Sequence, residues 1–99
     1  MNNFEGHING DKPVLVDFFA DWCEPCKLMT PVLQEVKQQL GERVTILKLD
    51  IDKNTSLAES CNIRSIPTLV LFRNGNVVWR KSGFASAREL MEHLQYHLS

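Results

Sequence analysis

Two cysteines separated by two residues are the feature of this 99-residue chain best suited to chemistry. Cys23 and Cys26 flank the dipeptide Glu24-Pro25, directly after an apolar segment that starts at Val14. If a helix begins at this motif, its unpaired N–H groups and its dipole favour a thiolate, which is the nucleophilic form of cysteine. Two intervening residues also bring both sulfurs within bonding reach. The spacing therefore predicts a surface dithiol that alternates with a disulfide.

The same pair admits two other interpretations. A zinc site needs four ligands, and His93 and His97 stand at ligand spacing on the predicted C-terminal helix. However, they lie on the polar side of that helix and far along the chain from Cys26, so a solvated helix face is the better account of them. Two inert buried cysteines are the other alternative, which the charged neighbours Glu24 and Lys27 argue against.

Asp17 interrupts the apolar segment six residues before Cys23. If its side chain points inward, desolvation favours the protonated carboxyl, and an acid partly protonated near neutral pH can shuttle a proton. If it lies at a strand end facing solvent, it is an ordinary surface carboxylate, and strand periodicity does not choose between the two. Lys48 in the next predicted strand would lower the pKa of Asp17 if the two strands are neighbours.

Hydrophobic spacing predicts the elements that position these residues. Residues 14–20 are apolar on both sides apart from Asp17, as in a central strand covered on both faces. Apolar residues at three- and four-residue spacing from Met29 to Leu40 predict a helix that ends at Gly41. Further strands are predicted over residues 44–50, 68–72 and 77–79, and a short helix over 55–61. Asn74-Gly75 predicts a hairpin turn between the last two strands. A last helix follows, with its apolar residues on one side: Leu90, Met91, Leu94 and Leu98. This order predicts an α/β fold with a mixed central sheet flanked by helices.

Composition narrows the class of protein. The length fits one domain over residues 1–99, and the interspersed charges, with a net charge of -1, argue against nucleic-acid binding. Three cysteines, an odd number, do not suit a secreted disulfide scaffold. No segment resembles a signal peptide or approaches the roughly 20 apolar residues of a membrane helix. We expect a cytoplasmic protein that does not bind membranes.

The motifs resemble those of the thioredoxin family. Residues 16–27, with the sequence VDFFADWCEPCK, are similar to the thioredoxin active-site segment, and residues 62–68 resemble the loop that holds a cis-proline opposite the cysteines. Asn74-Gly75 and Gly83 fall where that family has its hairpin turn and its second substrate-groove glycine. The resemblance runs from about Val14 to Leu98 without an evident insertion or deletion.

This resemblance implies roles for individual residues. Cys23 would attack a substrate disulfide, Cys26 would resolve the mixed disulfide, and Asp17 with Lys48 would manage the proton of Cys26. Ile66-Pro67 would be a cis peptide whose backbone pairs with an extended substrate. The shallow groove around Cys23 would be formed by Trp22, Pro25, Ile66, Gly83 and Phe84.

The chain departs from the family pattern in two places. Glu24 replaces the glycine that commonly follows the first cysteine, and its carboxylate opposes the helix-dipole stabilisation of the Cys23 thiolate, which favours a more reducing couple. The 13 residues before Val14 are too few for the usual first strand and helix, so the N-terminal strand is missing or minimal. The strand from Val44 to Asp50 then becomes an exposed edge, covered by a short N-terminal helix or by self-association of an otherwise monomeric protein.

The resemblance implies a protein-disulfide reductase that needs no bound cofactor or metal. Its partners would be disulfide-containing proteins and a thioredoxin reductase dependent on NADPH or ferredoxin. A disulfide oxidase or isomerase on the same fold is an alternative, as is a redox-inert or zinc-binding interaction module. Cys61, the third cysteine, is expected to be a buried small apolar residue, with a regulatory or intermolecular thiol as the alternative.

Overall fold

The computed structural model describes residues 4–98. From Val14 onward, the helices and strands follow one another in the order that the sequence patterns predict. They are α1 (Phe4–Ile8), β1 (Val14–Phe19), α2 (Glu24–Leu40), a 3-10 turn (Gly41–Arg43), β2 (Thr45–Asp50), α3 (Thr55–Ser60), β3 (Thr68–Arg73), β4 (Asn76–Ser82) and α4 (Ala87–Leu98). The predicted boundaries differ by a residue or so, except that β4 extends beyond residues 77–79 in both directions.

The four strands form one mixed sheet in the order β2-β1-β3-β4. β1 pairs in parallel with β2 and antiparallel with β3, and β3 pairs antiparallel with β4. β1 therefore lies inside the sheet, which is why its apolar residues are buried on both faces. The parallel register places Asp17 of β1 beside Lys48 of β2. The predicted α/β fold with a mixed sheet is confirmed.

Helices cover both faces of the sheet and create two apolar layers. On one face α2 and α4 bury their apolar stripes, including Met29, Leu33 and Leu90, against Leu15 and other residues of β1 and β3. On the other face α1 and α3 cover Val16 and its neighbours. Because α2 is held along its length by the first layer, its N-terminus is fixed at the end of β1.

The short N-terminal helix is secured by an aromatic contact and by the β3–β4 turn. Phe4 meets Phe72 edge-on, with ring centroids 5.4 Å apart. The turn has left-handed φ values of 54° at Asn74 and 81° at Gly75, as predicted for a tight hairpin. Its backbone N–H groups donate to carbonyls of the N-terminal segment, from Asn74 to Gly10 at 2.8 Å and from Gly75 to Ile8 at 2.9 Å.

The N-terminal region contributes a helix and no strand within residues 4–98, so β2 is an edge strand. The helix lies on the face of the sheet, where Phe4 and Ile8 join the second apolar layer. The expected short N-terminal helix is thus present, and no strand within residues 4–98 pairs with the outer side of β2. No helix in the described part of the chain is long and apolar enough to cross a membrane.

Candidate active site

The cysteine pair lies at the first turn of α2. Cys23 is the N-cap residue, with an extended backbone, and its sulfur accepts a hydrogen bond from the N–H of Cys26 at 3.2 Å. The two cysteines are joined by a disulfide, with Cα atoms 5.3 Å apart. Both are buried, which corrects the predicted surface position, although the neighbouring Trp22 and Glu24 are exposed. A thiolate on Cys23 would keep the same N–H donor and would lie at the positive end of the helix dipole. The arrangement suits a disulfide that opens and closes.

The dipeptide between the cysteines starts the helix. Pro25 lies in the first turn, where a missing backbone donor costs little. Glu24 points into solvent, and Lys27 Nζ donates to its Oε2 at 2.8 Å. This contact raises the pKa of Lys27, first through the hydrogen bond and then through the charge of Glu24. The carboxylate expected to oppose the thiolate therefore has a cation beside it.

The loop before β3 comes against the cysteines from the opposite side. The Ile66-Pro67 peptide is cis, as the resemblance implies, and Ile66 packs on the cluster formed by Ala20, Cys23 and Cys26. The N–H of Gly83 donates to the Pro67 carbonyl at 2.7 Å. Gly83 has a φ of 92°, which a glycine adopts without strain. Residues distant in sequence thus meet beside the disulfide.

Two exposed aromatic residues adjoin residues of the site in sequence: Trp22 precedes Cys23 and Phe84 follows Gly83. Trp22 is 68% exposed, yet its Nε1 donates to Asp52 Oδ2 at 2.9 Å, which ties the indole to the loop after β2. Trp22 and Ile66 line one cavity of about 330 Å³. Phe84 is 47% exposed and follows directly after Gly83. Both aromatic side chains leave apolar surface exposed to solvent.

Asp17 is fully buried, so the inward-pointing alternative is the observed one. Neither carboxylate oxygen has a hydrogen-bond partner within residues 4–98. Burial raises the pKa of Asp17 from 3.8 to about 6, and the positive charge of Lys48 partly counteracts this. Such a carboxyl changes its protonation state close to neutral pH.

The ammonium group of Lys48 is bound elsewhere. Its Nζ donates to Thr30 Oγ1 of α2 at 3.0 Å and lies 5.0 Å from the centre of the Phe19 ring. Lys48 forms no ion pair with Asp17 in the described structure. Lys48 and Thr30 instead line a cavity of about 160 Å³ that reaches Cys26. Solvent can thereby approach Cys26 from the side of Lys48.

The remaining candidates lie away from this site. His93 is exposed on α4 and stacks on Trp79 at 4.9 Å, and the carbonyl of His97 accepts a hydrogen bond from Arg73. Within residues 4–98 no three His, Cys, Asp or Glu side chains are grouped as a metal site. Cys61, expected to be buried, is a half-buried free thiol after α3, and burial raises its pKa.

Sequence reasoning missed three residues that the fold brings to the site. Asp52 holds Trp22, and Thr30 and Phe19 hold Lys48. Each contact joins residues from different elements, so periodicity could not reveal it. For Phe19 the predicted strand gave a weak signal, because a side chain at the strand end borders the helix start.

This geometry defines a class of protein. A cysteine pair that caps a helix at the end of a central strand, opposite a cis-proline loop, is the site of a thioredoxin-type protein-disulfide oxidoreductase. The family model for thioredoxin matches residues 1–96. The chain belongs to the thioredoxin family, and it is a dithiol–disulfide oxidoreductase.

Similar proteins come from bacteria and from plants. The chain is 45% identical to a thioredoxin of Alicyclobacillus acidocaldarius over 93% of this chain and 88% of that protein. It is 44% identical to a thioredoxin-like protein of Synechocystis over 94% of this chain and 90% of that protein. It is 42% identical to the chloroplastic thioredoxin Y of rice over 86% of this chain, and there it spans 51% of the relative's length.

Proposed function

We propose that this protein works as a reductant of protein disulfides, with Cys23 as the attacking thiol and Cys26 as the resolving thiol. The position of Cys23 carries the proposal. Its sulfur already accepts the N–H of Cys26 at 3.2 Å and caps α2, so the attacking thiolate meets a donor that is in place before the reaction. A disulfide oxidase on this fold would use the same atoms in the opposite direction, and an isomerase would use them to rearrange substrate disulfides without net electron transfer.

The reduction proceeds in two exchanges. The Cys23 thiolate attacks one sulfur of the substrate disulfide, forming a mixed disulfide and releasing the other substrate sulfur as a thiolate. Cys26 then loses its proton and attacks the Cys23 sulfur, which closes the Cys23–Cys26 disulfide and releases the second substrate sulfur. Two electrons pass from the dithiol to the substrate, and both substrate sulfurs end as thiols.

Asp17 is proposed to accept the proton of Cys26. With a pKa of about 6, its carboxyl is mostly ionised at pH 7 yet basic enough to take a proton briefly. The cavity shared by Cys26, Thr30 and Lys48 gives solvent a route to carry the proton away. Lys48 contributes its charge, which holds the pKa of Asp17 below the value that burial alone would give.

The substrate is proposed to bind as an extended segment over the disulfide. The cis-proline loop would supply backbone groups for strand-like pairing, as when a peptide adds to a sheet. The exposed indole and the apolar surface around the cysteines would pack against its side chains. The proposed contact residues are Trp22, Glu24, Pro25, Ile66, Pro67, Gly83 and Phe84.

The oxidised protein is proposed to be recharged by a thioredoxin reductase that draws electrons from NADPH or ferredoxin. Through this cycle the protein would carry electrons to protein disulfides and maintain the thiol balance of the cell. Cys61 is a free thiol, and the Cys23–Cys26 disulfide lies at the active site, which favours a reducing compartment such as the cytoplasm. We take residues 1–99 as one functional domain.

The redox midpoint of Cys23–Cys26 tests the direction of the reaction. The disulfide is equilibrated in a series of dithiothreitol and glutathione redox buffers, and its state is followed by Trp22 fluorescence and thiol trapping. A midpoint near or below about -270 mV supports a reductant, whereas one near about -180 to -120 mV points to an isomerase or oxidase. If no disulfide forms in any of the buffers, the proposed redox function is wrong. One bound zinc ion per chain would then indicate a metal-binding module.

Trapping tests the two cysteine roles. The Cys26→Ser variant is expected to accumulate a mixed disulfide between Cys23 and insulin that is stable to gel filtration. The Cys23→Ser variant is expected to form none, and Cys61→Ser is the matched control that should turn over like the parent protein. Equal trapping by the Cys23→Ser and Cys26→Ser variants would contradict the assignment.

A further inference from the structure

The chain contains two Asn-Gly pairs, and the fold places them against each other. Asn9-Gly10 follows α1, and Asn74-Gly75 forms the turn between β3 and β4. The N–H of Asn74 donates to the Gly10 carbonyl at 2.8 Å, and the Asn9 side chain lies against Gly75. Both asparagine side chains are exposed. An asparagine followed by glycine is suited to one intramolecular reaction, because no Cβ shields the glycine nitrogen.

That reaction is deamidation through a succinimide. The glycine nitrogen gives up its proton and attacks Cγ of the asparagine, so that an N–Cγ bond forms. The Cγ–Nδ2 bond breaks, and Nδ2 leaves as ammonia. Water then adds to one of the two ring carbonyls and breaks the bond from that carbonyl to nitrogen. Opening at Cγ leaves aspartate, whereas opening at the main-chain carbonyl leaves isoaspartate, whose main chain runs through Cβ and Cγ.

The two glycine nitrogens differ in what holds them. The N–H of Gly75 donates to the Ile8 carbonyl at 2.9 Å, so its attack on Asn74 requires this hydrogen bond to break. The turn must also open there, because Asn74 is held at a left-handed φ of 54°. The N–H of Gly10 donates to no backbone carbonyl within residues 4–98, and Asn9 lies beyond the last residue of α1. The Gly10 nitrogen is therefore the one available for attack in the folded protein.

We propose that Asn9 is a site of spontaneous deamidation in the folded protein, with the Gly10 nitrogen as the nucleophile, and that isoaspartate at this position loosens α1. Asn9 lies between the two carbonyls by which the turn holds the N-terminal segment, those of Ile8 and Gly10. Isoaspartate adds one main-chain atom between these carbonyls. Their spacing then no longer matches that of the N–H groups of Asn74 and Gly75, which stay in adjacent residues.

The short helix α1 depends on these two hydrogen bonds. It has five residues, too few for a helix that is stable on its own, and its buried residues are Phe4 and Ile8. Loss of either hydrogen bond therefore weakens the cover that α1 gives to the second apolar layer. The reaction uses none of the active-site residues, so its failure would leave the proposed reductase function untouched.

Incubation of the intact protein at mildly alkaline pH tests the site. Peptide mass spectrometry follows each asparagine separately, so Asn74 is the control within the same molecule. In the folded protein Asn9 is expected to convert at least about tenfold faster than Asn74, because only Asn74 must wait for local opening. In urea the two are expected to convert within about threefold of each other, since both glycine nitrogens are then unshielded. Equal rates in the folded protein, faster conversion of Asn74, or a tenfold difference that persists in urea would each overturn the proposal.

The Gly10→Ala variant tests the nucleophile. A Cβ at residue 10 would meet only the Lys12 nitrogen, at 3.9 Å, so the fold accepts alanine while the added methyl group shields the attacking nitrogen. This variant is expected to convert Asn9 at least about tenfold more slowly than the parent protein. Gly6→Ala is the matched control, because a Cβ there meets nothing within 4 Å, and it should convert Asn9 at the parent rate. Equal rates in the two variants would overturn the assignment of the Gly10 nitrogen.

Hydrogen exchange tests the effect on α1. Chains with isoaspartate at residue 9 are separated from unmodified chains by ion exchange. Their Asn74 and Gly75 amides are expected to exchange at least about tenfold faster, whereas the Val16 amide inside the sheet keeps its rate. Asn9→Asp is the matched control, because it adds the charge without lengthening the main chain, and it should change these rates by less than about threefold. Unchanged exchange in the isoaspartate chains, or equally fast exchange in Asn9→Asp, would overturn the proposed loosening of α1 by the longer main chain.

Discussion

Asp17 and Lys48 are partners in register on neighbouring strands, yet their charged groups do not meet. The lysine turns its ammonium group to Thr30 Oγ1 at 3.0 Å and over the ring of Phe19. The carboxylate of Asp17 is left buried with no hydrogen-bond partner within residues 4–98. An ion-paired aspartate would stay ionised far below neutral pH. The separation therefore leaves the pKa of Asp17 at about 6, so its carboxyl exchanges a proton close to neutral pH.

The pH dependence of stability follows from Asp17. Its pKa is raised from 3.8 to about 6, so the folded protein binds the proton more tightly than the unfolded chain. Stability contributed by this group is complete below about pH 4 and is lost as pH rises through about 6. The loss amounts to about 3 kcal/mol in the free energy of unfolding.

Urea unfolding at a series of pH values measures this effect. The Asp17→Asn variant has a side chain of the same shape that does not ionise. We expect its free energy of unfolding to exceed that of the parent by about 1–3 kcal/mol at pH 7.5 and to be nearly equal at pH 4. A parent and variant that differ by the same amount at both pH values would contradict the explanation.

Thr30 is predicted to hold the Lys48 ammonium group away from the Asp17 carboxylate and so to limit how far Lys48 lowers the pKa of Asp17. Thr30→Val removes the acceptor at nearly constant volume, so the ammonium group is free to approach the carboxylate and to lower the pKa of Asp17 below about 6. Lys48→Met removes the charge and should raise that pKa above about 6. NMR titration of the Asp17 carboxyl carbon measures both.

The controls separate a specific effect from a structural one. Thr30→Ser keeps a hydroxyl and is expected to titrate like the parent protein. In a Lys48→Met background, Thr30→Val should leave the pKa of Asp17 unchanged, because the charge it restrains is gone. A shift that persists in that background would mean that Thr30 acts on Asp17 by another route.

The sequence predicts most of the fold because its signals are local. Apolar spacing predicts β1 and α2 because it reflects which neighbouring residues are buried. The Asn74-Gly75 pair predicts the β3–β4 hairpin because both residues tolerate a positive φ. The short helix at Phe4 is harder, because five residues are too few to show a period. Its position depends on the contact with Phe72, which is distant in the sequence.

The site is predictable only as far as its motif and its family resemblance extend. Cys23 and Cys26 stand out by spacing, and the resemblance adds Ile66-Pro67, which the fold brings against them. Whether Asp17 is buried depends on the layer of helices above the sheet, which strand periodicity does not contain. The direction taken by Lys48 depends on a hydroxyl from α2. Contacts of this kind form only when separate elements pack together.

Phe4 is predicted to hold the N-terminal helix on the sheet. Its ring is buried against Phe72, so Phe4→Ala should lower the free energy of unfolding by about 2–4 kcal/mol. The neighbouring exposed Glu5 provides the control, since Glu5→Ala should change it by less than about 0.5 kcal/mol. Thermal and urea unfolding measure both, and a loss for Phe4→Ala no larger than that of Glu5→Ala would show that α1 adds little to the core.

The last prediction concerns the charges of the dipeptide. Glu24 opposes a negative charge on Cys23, but its ion pair with Lys27 at 2.8 Å offsets part of that field. We expect Glu24→Gly to make the Cys23 thiolate more abundant at pH 6.5, so that the reduced protein reacts about two- to threefold faster with iodoacetamide. Lys27→Gln should have the opposite effect.

Salt and the double variant distinguish electrostatics from helix geometry. Both groups are exposed, at 81% for the Glu24 side chain and 59% for that of Lys27, so their influence should fade at high ionic strength. Glu24→Gln, which keeps helix propensity, should match Glu24→Gly in low salt. If the glycine variant alone reacts faster, and equally so in 1 M salt, the cause is backbone freedom at the N-terminus of α2 and the electrostatic account of Glu24 is wrong.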